Sequence, residues 1–532
     1  MRLQLIGTFR LLDTEGVDRT PRGAKARALM ALICTTPDHR RTRRWLEARL
    51  WSDRGPDQAS GSLRQTLYEL RQALGPHAGL LQADRDMVWL TGITTDIEAE
   101  PAAVARALAA GREFLEGLDI RDEAFEDWLT AERARFAPPD RVPPRAGPVV
   151  AARRVPLLVQ VNSMGEGPAA FLPVALSSEI ARLIGDLAEV EIYHVAPGKS
   201  ALVAPVQGLR LTIESALFDN ALHLVATIAN IAQRRVAWTR RARFARDPTA
   251  AIESGDFARL AFEAAEAAHA ALALAVEPDS ETWAQGRQAQ AVRAIFTFDR
   301  EQMLRADRLL RESIDVMPSA QAWAWRAFLC QTMTIERVTT DFEAARQEAE
   351  EFAIRALSFP GRNSTVLALV SQISAMLAMD AAAALATAQE AVAINPMNPY
   401  AQYALATAHL RGADLHAAAR HGKIAADIAA NAHNAFFFQG ISALIALAAG
   451  DLDGCMRAYE AIAFRAPLFR PPLRGLTVLS LVKGDHVRAN RYAKMLERAE
   501  PGFTLDRLLH DEGYPGVTMR KMGLLQAAHL RR

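Results

Sequence analysis

Leu63, Leu67, Leu70 and Leu74 recur at steps of four, three and four, a spacing that stacks their side chains on one stripe of a helix. A helix over 56–74 is predicted, with Arg64, Gln65, Tyr68, Glu69, Arg71 and Gln72 beside or opposite the leucines, and Gly75 and Pro76 to stop it. Two shorter helices precede it. Ala28, Leu29, Leu32 and Ile33 mark one from Ala24 to Cys34, with Arg22, Lys25 and Arg27 near its start; Leu46 and Leu50 mark the next, which Thr42 can cap and "SDRGPDQ" breaks after Trp51. The opening "RLQLIGTFRLL", with Leu3, Leu5 and Phe9 alternating, reads as a strand turned by "DTEG", and two alternating runs around "ADRD" predict a hairpin with Arg85 near its tip. Residues 98–136 read as helical, closing on "EAFEDWLTAERARF", where Trp128 keeps helical spacing with Phe125 and Leu129 as a core anchor.

Prolines at 138, 139, 143, 144 and 148 make residues 138–154 a linker. From 155 to 250 the pattern alternates: "VPLLVQV" a strand, "SSEIARLIGDLA" a helix, "VEIYHV" a strand, then two strands joined at "FDN" and followed by "RRVAWTRRARF". A small α/β domain fits. From 251 to 532 Ala, Leu, Glu and Arg dominate without strand-like runs. Turn aspartates stand at Asp299, Asp341, Asp380, Asp414, Asp451 and Asp485, three with a neighbouring Gly, and Pro318, Pro360, Pro396, Pro467 and Pro501 follow most second helices. This repeat reads as stacked helix pairs, an all-α solenoid closed by a cap over 502–532.

At 532 residues the chain should form two to four domains. Its net charge of +1 conceals a basic amino-terminal region: residues 1–95 hold fifteen Lys and Arg against ten Asp and Glu, a sign that attracts phosphate backbones. No apolar run is long enough for a membrane span, and no secretory signal opens the chain, so a cytoplasmic protein is expected. Cys34, Cys330 and Cys455 lie too far apart for a disulfide framework or zinc site and read as core residues.

Catalytic signals are thin. "APGKS" at 196–200 imitates the end of a phosphate-binding loop, yet Tyr193 stands where that loop needs glycine. The histidines show no metal-ligand spacing, and no nucleophile triad has a local context. No catalytic residue, cofactor or metal is expected. Arg40, Arg41, Arg43 and Arg44 cluster where a helix begins and backbone amides favour an anion, so Arg43 and Arg44 are candidates for a phosphate clamp.

Positions 1–95 resemble the winged-helix effector domain of OmpR/PhoB-type regulators, and more closely the version in SARP-type transcriptional activators, where "KARALMALI", "LEARLW" and "LRQTLYELRQALG" have counterparts, Trp51 included. "DWLTAERARF" is similar to the opening of the bacterial transcriptional activation domain. Residues 155–245 look like a degenerate TolB-like domain, and those from 255 resemble tetratricopeptide repeats. The implied fold class is multidomain: an α+β winged helix-turn-helix at 1–97, an activation-domain-like helical segment at 98–137, the linker, a small α/β domain at 155–250, and a TPR-like helix-pair solenoid at 251–532. The resemblance implies a regulator, an activator, whose helix 56–74 enters the major groove of double-stranded DNA. Arg64 or Arg71 would pair with guanine, Gln65 with adenine, and Tyr68 would meet a phosphate or thymine methyl; Arg85 would reach the minor groove. Two copies on tandem half-sites are expected, and the repeats would hold RNA polymerase or another protein. Without a receiver domain ahead of the effector strands, phosphorylation is not the expected switch. The alternatives are a non-DNA-binding interaction scaffold and an enzyme centred on 155–250.

Overall fold

The structure is a computed structural model that describes residues 1–36, 38–99, 101–109, 111–136, 154–163, 170–195, 207–274, 280–339, 341–377 and 381–530. It divides into two compact units, Met1–Val149 and Val150–Arg532. Most of the linker, the 196–200 motif and Asp380 lie outside the described residues.

The first unit contains β1 (Arg2–Gln4), β2 (Arg10–Leu12), α1 (Ala24–Cys34), β3 (Arg40–Thr42), α2 (Arg43–Leu50), α3 (Pro56–Leu74), β4 (Leu81–Ala83), β5 (Met87–Leu90), β6 (Thr94–Thr95), α4 (Asp96–Ala99), α5 (Pro101–Ala109) and α6 (Glu123–Phe136). One sheet has the order β2-β1-β6 and the other β3-β5-β4. The opening run is two strands rather than one: Gly7, at φ +87°, lies in the turn, and β2 returns antiparallel with Leu3 opposite Leu11. The turn leaves backbone groups without ladder partners, and these need partners when buried. Asp96 supplies some, its carboxylate accepting from Leu5 N at 2.9 Å and Ile6 N at 3.0 Å. Residues 111–122 supply others, Gly7 N donating to Glu113 O and Leu115 N to Leu5 O. That demand explains why the stretch expected to be helical over 98–136 opens out between α5 and α6. Trp128 is buried against Phe114 and Phe125, as the spacing predicted.

The second unit begins with β7 (Val155–Ser163), α7 (Phe171–Leu187), β8 (Val190–Val195), β9 (Leu209–Phe218), β10 (Ala221–Asn230) and β11 (Arg235–Ala245). The five-stranded mixed sheet has the order β11-β10-β9-β7-β8, with β7 parallel to β8 and β9. At "FDN" Asp219 and Asn220 take φ of +50° and +55°, the left-handed pair a two-residue hairpin favours. The short α8 (Pro248–Ile252) and α9 (Gly255–Leu272) follow, and then six helix pairs: α10 (Glu281–Ile295) with α11 (Arg300–Val316), α12 (Ala320–Ile335) with α13 (Phe342–Leu357), α14 (Ser364–Met376) with α15 (Ala381–Ile394), α16 (Pro399–Arg411) with α17 (Leu415–Ile428), α18 (Ala435–Ala448) with α19 (Leu452–Arg465), and α20 (Arg470–Val482) with α21 (His486–Ala499). Short helices α22 (Leu505–His510), α23 (Val517–Lys521) and α24 (Leu524–His529) pack on the end.

The turn aspartates have a specific task. Asp299, Asp341, Asp414, Asp451 and Asp485 each cap the second helix of a pair, the carboxylate accepting from a backbone N–H in its first turn. Small residues let the helices cross closely: a Cβ on Gly475 would stand 2.4 Å from the Tyr459 ring.

Two features depart from an open solenoid in which each repeat touches only its neighbours. First, the array closes on itself. Phe296, in the first pair, lies 5.2 Å from Phe437 in the fifth; Phe298 stacks at 4.1 Å on Phe469, just before α20; and Trp325 in α12 meets Tyr400 in α16 at 5.4 Å. The inner face is thereby a packed aromatic core. Second, the sheet layer shares that core. The last turn of α7 receives Gln288 Nε2 on Leu187 O at 2.8 Å, Gln321 Nε2 and Asn363 Nδ2 on Gly185 O at 3.3 and 3.1 Å, and Asn395 Nδ2 on the Asp186 carboxylate at 2.7 Å.

A buried charge network fastens the sixth pair to the second. Arg470 donates to Glu336 at 3.0 Å, Arg474 to Glu500 at 2.8 Å and to Ile335 O at 2.7 Å, and Tyr514 donates to Glu500. These five side chains are all almost fully buried. Removing one member strands its partner's charge, so Arg474→Met should cost about 3–5 kcal/mol, read as a lowered urea midpoint of the second unit. Burial pushes the Asp186 carboxyl up from 3.8 to about 6, against the opposing pull of Asn395. The folded state then holds more protons than the unfolded one between those values, so this group's contribution to stability falls as pH rises through the window. Melts at pH 4 and pH 7 should show Asp186→Asn gaining on the parent protein as pH rises; an unchanged difference would contradict the assignment.

Candidate nucleic-acid interface

In α3 the leucine stripe decides what faces out. Leu63, Leu67, Leu70 and Leu74 are buried, with Leu67 only 3 % exposed, while Arg64, Gln65, Tyr68 and Arg71 are exposed. Tyr68 is 58 % exposed, a large aromatic ring that the core does not use. The helix starts at Pro56, whose missing N–H costs nothing in a first turn. It ends at Gly75, with φ at +56°.

Arg64, Tyr68 and Arg71, spaced four and three apart, share one stripe. Gln65 sits beside it and donates to Glu69 at 3.1 Å. Arg44, Arg64, Arg71 and Arg85 form no ion pair among the described residues. Three of the predicted arginines converge on α2: the Glu47 carboxyl, raised by burial, is drawn back down by Arg43, Arg64 and Arg44 and by a hydrogen bond with Ser60. The two helices therefore bring these cations to one neighbourhood.

The basic run at 40–44 divides, because β3 puts alternate residues on opposite faces. Arg40 is exposed and lies over the Trp89 ring, whereas Arg41 is buried against Trp45, its Nε donating to Leu32 O. Arg41 is therefore part of the core. Arg43 and Arg44 open α2, half-buried and exposed respectively, and Thr42 caps it by accepting from Trp45 N at 3.2 Å. Arg43 also reaches the β4–β5 hairpin, donating from its side chain to Asp84 O at 3.4 Å and from its backbone to Asp86 O at 2.8 Å. At the hairpin tip the Asp84 carboxylate accepts from Asp86 N and Met87 N, bonds that hold it below its ordinary pKa. Arg85 projects from that turn, exposed. The structure thus ties the α2 start to the hairpin through Arg43.

Sequence reasoning missed β3, too short to show alternation, and with it the split between Arg40 and Arg41. It also missed Lys25, which is turned inward to Leu50 O at 2.5 Å and the Trp51 ring. A tryptophan closing a helix near an upstream lysine was the available signal.

Substitution distinguishes the two faces of α3. Leu67→Ala should destabilise the first unit by about 2–5 kcal/mol, whereas Tyr68→Ala should stay within about 0.5 kcal/mol, both read from denaturant midpoints.

No family model matches this chain, and no curated protein does. A solved structure titled "Functional Characterization of Pseudomonas Aeruginosa pilF" is 20 % identical over a match covering 42 % of this chain and 95 % of that one, with a TM-score of 0.27. At that level the comparison adds nothing to what the helix pairs themselves display, and the architecture stands as an amino-terminal α/β region with two small sheets, a five-stranded mixed sheet and a helix-pair repeat.

Proposed function

We propose that residues 1–97 form a winged helix-turn-helix of the OmpR/PhoB and SARP type that binds double-stranded DNA, making the protein a transcriptional regulator and, by that resemblance, an activator. The observation that carries the reading is the outward row of Arg64, Gln65, Tyr68 and Arg71 on a helix whose other face is sealed by leucines. Guanidinium and amide side chains read base edges in the major groove, and an α-helix fits that groove. Arg43 and Arg44 lie at a helix N-terminus, where the macrodipole adds to their attraction for phosphate. Arg85 at the hairpin tip suits a minor-groove or backbone contact. Two copies on tandem half-sites complete the assembly, and the second unit binds a protein partner, RNA polymerase or another, on its outer surfaces, since the aromatic core fills the inner one.

Titration of fluorescent duplexes from the chain's own upstream region tests this. Affinity should fall steeply with salt as phosphate counterions are released, and Arg43→Ala and Arg44→Ala should each lower the log–log slope by about 1 for all sequences. Arg71→Ala should instead cost about 1–3 kcal/mol on the preferred site and relax specificity there. A salt-independent interaction, or none at low ionic strength, would favour a scaffold that binds only protein.

A further inference from the structure

The five-stranded sheet ends on a strand built differently from its neighbours. β11 pairs with β10 from Arg235 opposite Asn230 to Ala245 opposite Ala221, with a bulge at Ala237 that leaves Trp238–Ala245 as the regular stretch, and its other side borders no strand. Among the described residues, no backbone group of β11 bonds outward to another segment. Proteins blunt such an edge by shortening it, by inserting proline or a bulge, by placing charge on it or by covering it. This one is eleven residues long, contains no proline and is exposed along most of its length. What it carries is charge: Arg235, Arg240, Arg241 and Arg243, flanked by Arg234 and Arg246, all exposed. Of these, Arg240 has a counterion, Glu263 at 3.7 Å; the others have none among the described residues.

We propose that this edge accepts an extended acidic segment of a partner protein as a sixth strand. Cations along an edge repel a second copy of the same strand, which protects the sheet from self-pairing, and the same charge selects for the opposite sign. The two faces of β11 define the occupant further. On the outer face Arg241 lies opposite Val225 and Arg243 opposite His223, so an added strand meets guanidinium groups at alternate positions and carboxylates satisfy them. On the inner face Trp238 and Ala242 are half-buried and packed on the core, and Arg240 between them is engaged by Glu263, so the occupant's inward side chains lie along an apolar surface interrupted by one neutralised arginine. The complement is a strand alternating acidic and apolar residues, held by main-chain hydrogen bonds and by cross-strand charge pairs. A nucleic acid matches the charge alone: it has no peptide ladder to offer the edge.

The test uses the full-length protein and fluorescein-labelled synthetic probes: a short peptide alternating glutamate and valine, the same composition in blocks, the alternating peptide N-methylated at alternate positions, and an oligothymidylate of equal charge. Strand addition requires the alternating peptide to bind about tenfold more tightly than the N-methylated one, which lacks the ladder donors, and more tightly than the block peptide and the oligonucleotide. Replacing Arg241→Glu and Arg243→Glu together should weaken it by about tenfold or more through like-charge contact, with the melting temperature unchanged because both residues are exposed. Equal binding of all three peptides, preference for the oligonucleotide, indifference to the double substitution, or no peptide binding at low ionic strength would each overturn the proposal.

Discussion

Four side-chain amides, from α10, from α12 and from the two ends of the third helix pair, meet at one place, the last turn of α7. A helix end leaves carbonyls without intrahelical partners, and an end that stops inside a protein must find donors there. Gln288, Gln321 and Asn363 donate to those carbonyls, and Asn395 donates to the Asp186 carboxylate beside them. Two of them work twice: the Asn363 amide also caps α14 through its oxygen, and that of Asn395 accepts from Met397 N. The register of the array against the sheet layer is therefore set by hydrogen bonds that lose their partners together if either slides. This constraint makes the α/β layer and the repeats one body.

The first unit divides its labour by residue type. Leucines on α3, the Trp128 cluster and the Asp96 carboxylate that ties down the β1–β2 turn build a rigid platform. The cations fall into two populations: Lys25 and Arg41 are spent on rings and carbonyls inside, while Arg44, Arg64, Arg71 and Arg85 are exposed and form no ion pair within 4.0 Å among the described residues.

Local order was legible where one period dominated. The four-three-four leucine spacing gave α3 and its outward face, and the apolar run "VPLLVQV" and the two runs joined at "FDN" gave strands. The aspartates read as turn residues proved to be helix caps, a finer version of the same signal. Three things escaped because they depend on distant residues. The strand at 40–42 is too short to alternate, and only its pairing with β5 separates Arg40 from Arg41. The helix expected through 111–122 gives way because the β1–β2 turn needs hydrogen-bond partners. The amides that hold α7 stand 33, 42 and 32 residues apart, a repeat-like recurrence, yet polar side chains at that spacing read as solvated until the helix end they serve is known.

The ring of helix pairs also imposes an order of events at the ribosome. Arg470 and Arg474 enter the growing polypeptide before Glu500 and Tyr514, and Glu336 long before any of them. Until Glu500 has left the exit tunnel the seam joining the second pair to the sixth lacks one of its two carboxylates, and until Tyr514 follows it lacks that carboxylate's hydroxyl donor, so the carboxyl-terminal unit matures last. Among the described residues the core of the amino-terminal unit is built from positions 3 to 129, so it can be finished while its larger companion is still being made.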